Sequence, residues 1–406
     1  MKPGSGLYHL GRLLRDGSAA PGVDWPAILA LARRHRVAPL LFWQLRQAGG
    51  DGPDGVPGDV WEALRADFFA AAARRMVVEL QLIEVLAAAA GAGIPMMVVK
   101  GAAVGAYYLH PALRTYLDLD VLVPEAQVRA AQAALQGLGY RPLKPQEWML
   151  DHYHHLALGG GDGRLVVEVH WRLDIDEQEG IPNYAARLPS EDVWARAEPW
   201  SVGGQPALRL EAVDAVLHLC RHAVVQHRLR LGLRPVYDLA RVVADWTPRQ
   251  WKVLVARARD YGLERPVYLM LTLAADVLGL VVPPDVLPAL CPGDPLPGDL
   301  VERMLLWEGE RVAAVPVAVV QAGTGATRLS QARHFLWHLF LPRDGMALAY
   351  GVPADSPRIW LTYLWRPFDL VRRYGKAAWL GLRGDPAARM AWQREAWLER
   401  WLRGRD

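Results

Sequence analysis

Hydrophobic positions follow two different spacings along the chain, and each spacing predicts a different kind of element. Residues 24–47 carry apolar side chains at steps of three and four, which is typical of a pair of amphipathic helices. Residues 60–90 are rich in Ala, Leu and Glu and predict one long helix. Short apolar or alternating runs at 94–99, 117–123 and 164–173 are typical of strands. The sequence therefore predicts helices together with a sheet.

The strand-like runs lie within one stretch of the sequence and predict a small mixed sheet. Residues 154–158 and 164–173 flank a loop of Gly and Asp, which indicates a β-hairpin. Turn-rich breaks lie at 49–58 and 291–299, and the spacing after residue 205 is mostly helical. We predict an α+β fold in which a small mixed sheet with helices is embedded in a largely helical protein. The predicted regions are an N-terminal helical region at 1–92, a core at 93–205, a helical bundle at 206–291 and a C-terminal helical region rich in Trp and Arg at 292–406.

Two aspartates stand two residues apart in the second strand-like run. Side chains two apart in a strand point to the same face, so Asp118 and Asp120 are expected to lie side by side. Two ionised carboxylates in that position repel each other and resist burial. A divalent cation between them removes this cost, and hard oxygen ligands favour Mg²⁺, with Mn²⁺ as a possible substitute. The pattern therefore predicts a metal site.

Composition narrows the classes of protein to consider. The 406 residues are 52% hydrophobic with a net charge of +3, so a large core is available and nucleic-acid binding has no electrostatic support. Two cysteines fit a reducing compartment. No apolar run reaches the roughly 20 residues of a membrane-spanning helix, so we expect a cytoplasmic protein. Only five of the 46 basic residues are lysine, which makes Lys100 conspicuous at the end of the first strand-like run.

Three short segments resemble one family. They are Val99-Lys100-Gly101-Ala102-Ala103, then Leu113-Arg114 with Asp118-Leu119-Asp120 after it, and Glu168-Val169-His170-Trp171. Together they resemble the uncharacterised nucleotidyltransferase family of bacteria, within the DNA polymerase beta-like superfamily. Further segments at 31–39, 217–223, 236–239 and 363–367 also look like that family, so the resemblance covers nearly the whole chain. One departure is Ala102, because the wider superfamily usually has serine there.

The resemblance implies an enzyme that transfers a nucleoside monophosphate from a nucleoside triphosphate to an acceptor and releases pyrophosphate. Asp118, Asp120 and Glu168 would hold one or two Mg²⁺ ions, and Glu168 would also deprotonate an acceptor hydroxyl. The phosphates would lie over the turn at Gly101 and Ala102, where a backbone without a side chain permits close approach. Lys100 or Arg114 would neutralise the departing pyrophosphate. The acceptor stays open among small molecules, sugars, peptides and proteins.

Several polar residues outside the carboxylate motif are open to more than one interpretation. His170 shares a strand face with Glu168, and it supports the site, binds the base or the acceptor, or packs in the core beside Trp171. His222 and Asp238 are candidates to line the acceptor cleft. His218, Cys220, His222 and His227 superficially resemble a zinc set, but Cys220 lies off the helical face of the histidines, and we disfavour zinc.

The C-terminal region interleaves tryptophans with arginines, and Trp397 and Trp401 stand one helical turn apart. We favour packing or a protein interface for it over contact with a membrane, although basic helices with tryptophan can bind lipid surfaces. The alternative to an enzyme is a catalytically inactive scaffold that binds a nucleotide or a partner. The converging acids argue against that alternative.

Overall fold

The computed structural model describes residues 5–18, 22–50, 52, 54–144, 149–150, 153–161, 163–173, 187–293, 340–382 and 397–404. Four helices come first: α1 (Gly6–Asp16), α2 (Trp25–Arg34), α3 (Ala38–Gly49) and α4 (Gly58–Gly91). The side chains of Ser5 and Asp24 accept hydrogen bonds from free backbone amides at the starts of α1 and α2, as helix caps do. The predicted helix pair at 24–47 and the long helix at 60–90 are confirmed.

Seven strands form one mixed sheet. They are β1 (Met97–Val98), β2 (Asp118–Leu122), β3 (Arg141–Pro142), β4 (His155–Gly159), β5 (Val166–His170), β6 (Glu198–Val202) and β7 (Gln205–Arg209). Their order across the sheet is β3-β4-β5-β2-β1-β7-β6. The predicted hairpin is β4 and β5, which pair antiparallel. The α+β fold with a mixed sheet is therefore confirmed.

Two pairings place the strands that matter for the candidate site. β2 lies between β1, to which it is antiparallel, and β5, to which it is parallel. In the β2–β5 register, Asp120 lies opposite Glu168 and Leu122 lies opposite His170. Because alternate side chains share a face, all the polar members of these two strands lie on one side of the sheet. Leu119, Val121, Val167 and Val169 fill the buried core on the other side.

Short helical segments connect the first strands. They are α5 (Gly101–Gly105), two 3₁₀ turns (Pro111–Leu113 and Glu125–Gln127) and α6 (Val128–Gly137). The helix α5 is short and ends at Gly105. A Cβ at Gly105 would overlap the Tyr116 hydroxyl, so this glycine lets the tyrosine pack closely against the helix.

One more helix precedes β6, and a run of helices follows β7. They are α7 (Ser190–Ala195), which precedes β6, then α8 (Ala212–Arg221), a π-helix (His222–Gln226), α9 (Arg234–Val242), α10 (Pro248–Asp260), α11 (Glu264–Leu278) and α12 (Val286–Leu290). The described residues after β7 are therefore mostly helical, as predicted. The strand β7 crosses residue 205, where the predicted core ended.

The chain divides into two compact units. The first comprises 1–143, 153–176 and 183–305, and the second comprises 144–152, 177–182 and 306–406. The division into four regions stays a prediction. All of the elements given so far belong to the first unit.

The second unit contains α13 (Arg343–Tyr350), α14 (Ile359–Leu382) and a helix over 397–403. Trp397 and Trp401 stack with ring centroids 5.8 Å apart. Across the described ranges, no helix combines the length and hydropathy that crossing a bilayer requires.

Candidate active site

Lys100 and Asp120 form a buried ion pair at the centre of the sheet. Lys100 follows β1, and Asp120 lies in the neighbouring β2. Lys100 Nζ lies 2.6 Å from Asp120 Oδ1, and the side chains are 12% and 3% exposed. Burial opposes the charged form of both groups, but their mutual attraction outweighs it. The pKa of Asp120 is therefore held well below its ordinary value and that of Lys100 is raised, so both groups are charged at neutral pH.

Glu168 and His170 extend this ion pair across the neighbouring strand. His170 Nε2 lies 3.1 Å from Asp120 Oδ1 and 3.5 Å from Glu168 Oε2. Burial alone would lower the pKa of His170, but hydrogen bonds to the two carboxylates raise it above the usual value. Burial likewise would raise the pKa of Glu168, and the hydrogen bond from His170 lowers it. We call Asp118, Asp120, Glu168 and His170 the carboxylate side of the site.

Asp118 begins β2 and is less buried than Asp120. Burial and the charge of Asp120 raise the pKa of Asp118, while Lys100 lowers it. Lys100 in turn is influenced by three acids, because Asp120, Glu168 and Asp118 each raise its pKa. The predicted carboxylates therefore surround one lysine.

A second group of ionisable side chains meets Lys100 from the helical part of the first unit. Lys100 Nζ lies 3.3 Å from His222 Nε2, and His222 Nε2 lies 3.1 Å from His227 Nε2. The ring of His218 lies 5.9 Å from that of His222. We call His218, His222 and His227 the histidine side. Burial is the largest cause that lowers the pKa of all three, and Lys100 comes next; the pKa of His227 falls to about 4.

The π-helix explains how His222 meets His227. The backbone N–H of His227 donates to the carbonyl of His222 at 3.0 Å, five residues back, and the two rings lie 4.3 Å apart. In an α-helix of 3.6 residues per turn, side chains five apart do not share a face. Single π-turns are frequent at functional sites. The sequence placed His222 and His227 in one set but had no signal for this contact.

The turn between β1 and α5 begins at Gly101. Its φ of +42° lies in the left-handed region, which glycine adopts without steric cost. The nearest neighbours of a Cβ at this position would be the Tyr116 ring at 3.7 Å and the Asp118 carbonyl at 3.8 Å. Ala102 is 1% exposed and offers only a methyl group. The turn therefore lies beside the start of β2 and presents mainly backbone.

Arg114 and Asp238 lie together, although 124 residues separate them. Arg114 donates from Nε to Asp238 Oδ1 and from Nη2 to Oδ2, both at 2.9 Å, and Tyr108 donates to Oδ1 at 2.6 Å. Both members of the ion pair are nearly fully buried. Asp238 was expected as an acceptor contact and Arg114 as a phosphate contact. Two of the three guanidinium nitrogens of Arg114 are instead committed to this ion pair, while Nη1 faces Gly101 at 3.9 Å from its Cβ position.

Two groups of side chains in the described ranges bring three ligand atoms within 4.8 Å of one another. One is Asp120, Glu168 and His170, and the other is His154, His155 and His170. The first supplies two carboxylates, which suit Mg²⁺ or Mn²⁺, and one imidazole nitrogen. The donor chemistry therefore fits the predicted metal, with Lys100 Nζ as a competing cation on Asp120. The disfavoured zinc set of His218, Cys220, His222 and His227 forms no such group.

Comparison with known protein families identifies the family of this chain. A family model described as "Uncharacterised nucleotidyltransferase" matches residues 21–279, which include all of the site residues above. The chain belongs to this family. It is accordingly a nucleotidyltransferase, and its carboxylate side lies in the matched region.

Two solved structures of another protein are similar to part of this nucleotidyltransferase. The solution structure of the antibiotic-resistance factor ANT(2″)-Ia matches at 18% identity, over 46% of this chain and 91% of that chain, with a TM-score of 0.31. The crystal structure of ANT(2″)-Ia in complex with adenylyl-2″-tobramycin matches at 17% identity, over 45% and 97%, with a TM-score of 0.32. These TM-scores are too low to support an argument. No curated protein matches the chain.

Proposed function

We propose that this nucleotidyltransferase uses Mg²⁺, or Mn²⁺ in its place, to transfer a nucleoside monophosphate from a nucleoside triphosphate to an acceptor, with release of pyrophosphate. The observation that carries the proposal is the buried cluster of Asp120, Glu168 and His170 with Lys100 beside the Gly101 turn. Such a cluster combines hard ligands for a cation with a cation for phosphate. The proposal also includes membership of the DNA polymerase beta-like superfamily and a cytoplasmic location.

Each residue has a role that follows from its contacts. Asp120 and Glu168 would hold the metal, with Asp118 as a further carboxylate at the open end of β2. When bound, the metal would stabilise the negative charge on the attacking and leaving oxygens of an in-line displacement. His170 holds Asp120 and Glu168 in position through its hydrogen bonds to both. Glu168 is the most exposed of the three, with 27% of its side chain accessible, and would accept the acceptor's proton.

Lys100 is placed to contact phosphate. Its ammonium lies between Asp120 and His222, so a metal that binds Asp120 would leave it free to pair with the phosphates over Gly101. Because Ala102 lacks a hydroxyl, the grip on the phosphates falls to Lys100 and the backbone of the turn. His222 would then act as the neutral neighbour that receives a hydrogen bond from the ammonium.

The test is calorimetric titration of ATP, GTP, CTP and UTP, each with and without Mg²⁺. We expect metal-dependent binding of at least one nucleotide to the wild type, lost in Asp120→Asn. The control is Asp260→Asn, the same substitution at an exposed position at the end of α10. Binding that ignores Mg²⁺ or survives Asp120→Asn would contradict the proposal. A folded protein that binds none of the four would favour the inactive scaffold.

A further inference from the structure

A pocket of about 350 Å³ lies in the first unit between the N-terminal helices and the approach to β2. Arg33 and Arg36 line it from the end of α2, and Arg74 and Asp67 line it from α4. Thr115, Tyr116 and Leu117, which immediately precede Asp118, form the wall nearest the sheet. Three arginines thus face one aspartate.

The single aspartate is already neutralised. Arg33 donates from Nε to Asp67 Oδ2 at 2.7 Å and from Nη2 to Oδ1 at 3.3 Å. Arg74 donates to the Gly163 carbonyl at 3.0 Å. Within the part of the chain that the structure describes, neither Arg36 nor Arg74 forms an ion pair. The lining therefore carries an excess of positive charge, which an anion would balance.

Arg36 is held in place by its backbone. It has a φ of +58°, in the left-handed region where residues with a Cβ are uncommon, and it follows the last turn of α2. The preceding His35 is buried and accepts a hydrogen bond at Nδ1 from the Leu233 amide at 3.2 Å. This contact fixes the end of α2 against the segment that begins α9. Among the residues that the structure describes, Arg36 Nη1 has no hydrogen-bond partner.

A further arginine adds positive charge behind the pocket wall. Arg234, next to Leu233, donates from Nη1 to the Thr115 carbonyl at 3.4 Å, and its buried Nε has no hydrogen-bond partner in the described ranges. Burial lowers the pKa of Arg234, and the neighbouring Arg114 and Arg36 lower it further, against the opposing effect of Asp238. Several arginines therefore crowd one region where Asp238 is already shared by Arg114 and Tyr108.

The pocket adjoins the candidate active site. Tyr116 lies in its wall, and the same ring lies 3.7 Å from the Cβ position of Gly101. Arg75 and Arg114 stack on this ring, at 5.2 and 5.1 Å from its centroid. Leu117, also in the pocket wall, immediately precedes Asp118 in the chain.

We propose that this pocket binds an anionic group, a phosphate or a carboxylate, on the acceptor of nucleotidyl transfer. Arg36 and Arg74, which both line the pocket, would pair with the anion. That the anion belongs to an acceptor rests on the proposed function, whereas binding of an anion in the pocket can be tested independently of it. Nucleotide phosphates are the competing source of an anion.

The experiment is ligand-observed NMR titration of the full chain with three probes: glycerol 3-phosphate, glycerate and glycerol. We expect glycerol 3-phosphate, glycerate or both to bind and glycerol not to bind. The anion that binds with the higher affinity shows whether the pocket prefers a phosphate or a carboxylate. Arg36→Gln and Arg74→Gln should each weaken binding at least fivefold. Arg65→Gln is the control, since it is the same substitution on an exposed part of the same helix and leaves the pocket intact.

The titration is repeated with pyrophosphate and with each nucleoside triphosphate and Mg²⁺. Anion binding that persists supports an acceptor site, and displacement by pyrophosphate or nucleotide would overturn it in favour of the nucleotide's own phosphates. Equal binding of glycerol, absence of binding by either anion, or unchanged binding in both folded variants would also overturn it. If no nucleotide binds while the anions do, the proposed function fails and the anion site stands. Arg74→Gln guards against misfolding of Arg36→Gln, because Arg74 lies on the surface of a long helix.

Discussion

The two sides of Lys100 give histidine opposite properties. On the carboxylate side, hydrogen bonds from His170 to Asp120 and Glu168 outweigh burial, and its pKa is raised. On the histidine side, burial and Lys100 act in the same direction, and the pKa of each of the three rings is lowered. Burial acts on all four rings, so the difference lies in whether a carboxylate is within reach.

This contrast shows how one cation organises the site. The carboxylate side supplies the ion pair with Lys100. Among the described residues, the histidines on its other side have no carboxylate of their own to stabilise a positive charge, so the charge of Lys100 lowers their pKa. They stay neutral, and each neutral ring offers one N–H donor and one acceptor nitrogen. The carboxylate side is therefore the charged half, and the histidine side is a neutral wall.

The largest effect is expected from removing the carboxylate that both sides depend on. Asp120→Asn leaves Lys100 as a buried cation with one partner fewer, which should cost about 3–5 kcal/mol of unfolding free energy. Transfer activity should fall by more than about 100-fold, because even outer neighbours of metal ligands typically cost about 10- to 100-fold. Urea unfolding and transfer of labelled nucleotide measure the two effects. A stable variant with near-normal activity would remove Asp120 from the centre of the site.

Replacing the cation itself should make the two sides more alike. In Lys100→Met, the pKa of Asp120 should rise, and the pKa values of His222 and His227 should rise toward the ordinary value, since the charge that lowers them is gone. We expect a loss of about 1–3 kcal/mol in stability, because Asp120 keeps His170. NMR titration of the histidine rings measures the shifts. Unchanged titration of His227 would show that burial alone sets its pKa.

Acid should destabilise the wild type before its carboxylates protonate. The unfolded histidine pKa is about 6.5, and that of folded His227 is about 4. Between these values the unfolded state binds more protons, so stability falls as the pH falls, by about 1.4 kcal/mol per pH unit for each such histidine. His218, His222 and His155, whose pKa is about 3, act in the same direction.

His170 acts in the opposite direction over the same experiment. Its folded pKa is raised, so its contribution to stability is present below pH 6.5 and is lost as the pH rises through the folded pKa. The histidines with lowered pKa outnumber it. The urea concentration at the midpoint of unfolding should therefore be lower at pH 5 than at pH 7. A midpoint that is constant or rises over this range would contradict the assigned directions.

The smallest effect is expected from one member of the neutral wall. His227→Gln keeps a hydrogen-bonding side chain next to His222 and should change stability at pH 7 by less than about 1 kcal/mol. The variant should nevertheless lose one histidine's share of the pH dependence between pH 6.5 and 4. Matched unfolding series at pH 7 and pH 5 test this, with His9→Gln in α1 as the control substitution. An unaltered slope would show that His227 already carries its proton in the folded state.

Local patterns predicted the β2, β4 and β5 strands and the carboxylates on them, because alternation and a Gly/Asp turn are properties of short segments. The hairpin of β6 and β7 was missed. Gly203 and Gly204 form its tight turn, with φ values of +54° and +78°, which is a recognisable signal. Pro199 and Pro206 in the two strands obscured it, since proline normally argues against a strand.

Contacts between distant segments could not be predicted. The ion pair of Arg114 with Asp238 joins residues from different parts of the fold, and both had been assigned to ligands instead. The π-turn at His222 and the left-handed backbone of Arg36 depend on tertiary packing that outweighs local preference. The pocket at the end of α2 is likewise absent from any local pattern.

The Lys100 ammonium also bears on how this chain can change by mutation. Lysine and arginine codons can differ by a single base, so Lys100 is one step from the basic residue that this sequence uses far more often. A planar guanidinium is broader than an ammonium and does not act as a point charge. In this site a single nitrogen atom lies 2.6 Å from Asp120 and 3.3 Å from His222. We therefore expect Lys100→Arg to disturb both contacts, so the shape of the site would restrict which basic residue can stand at this position.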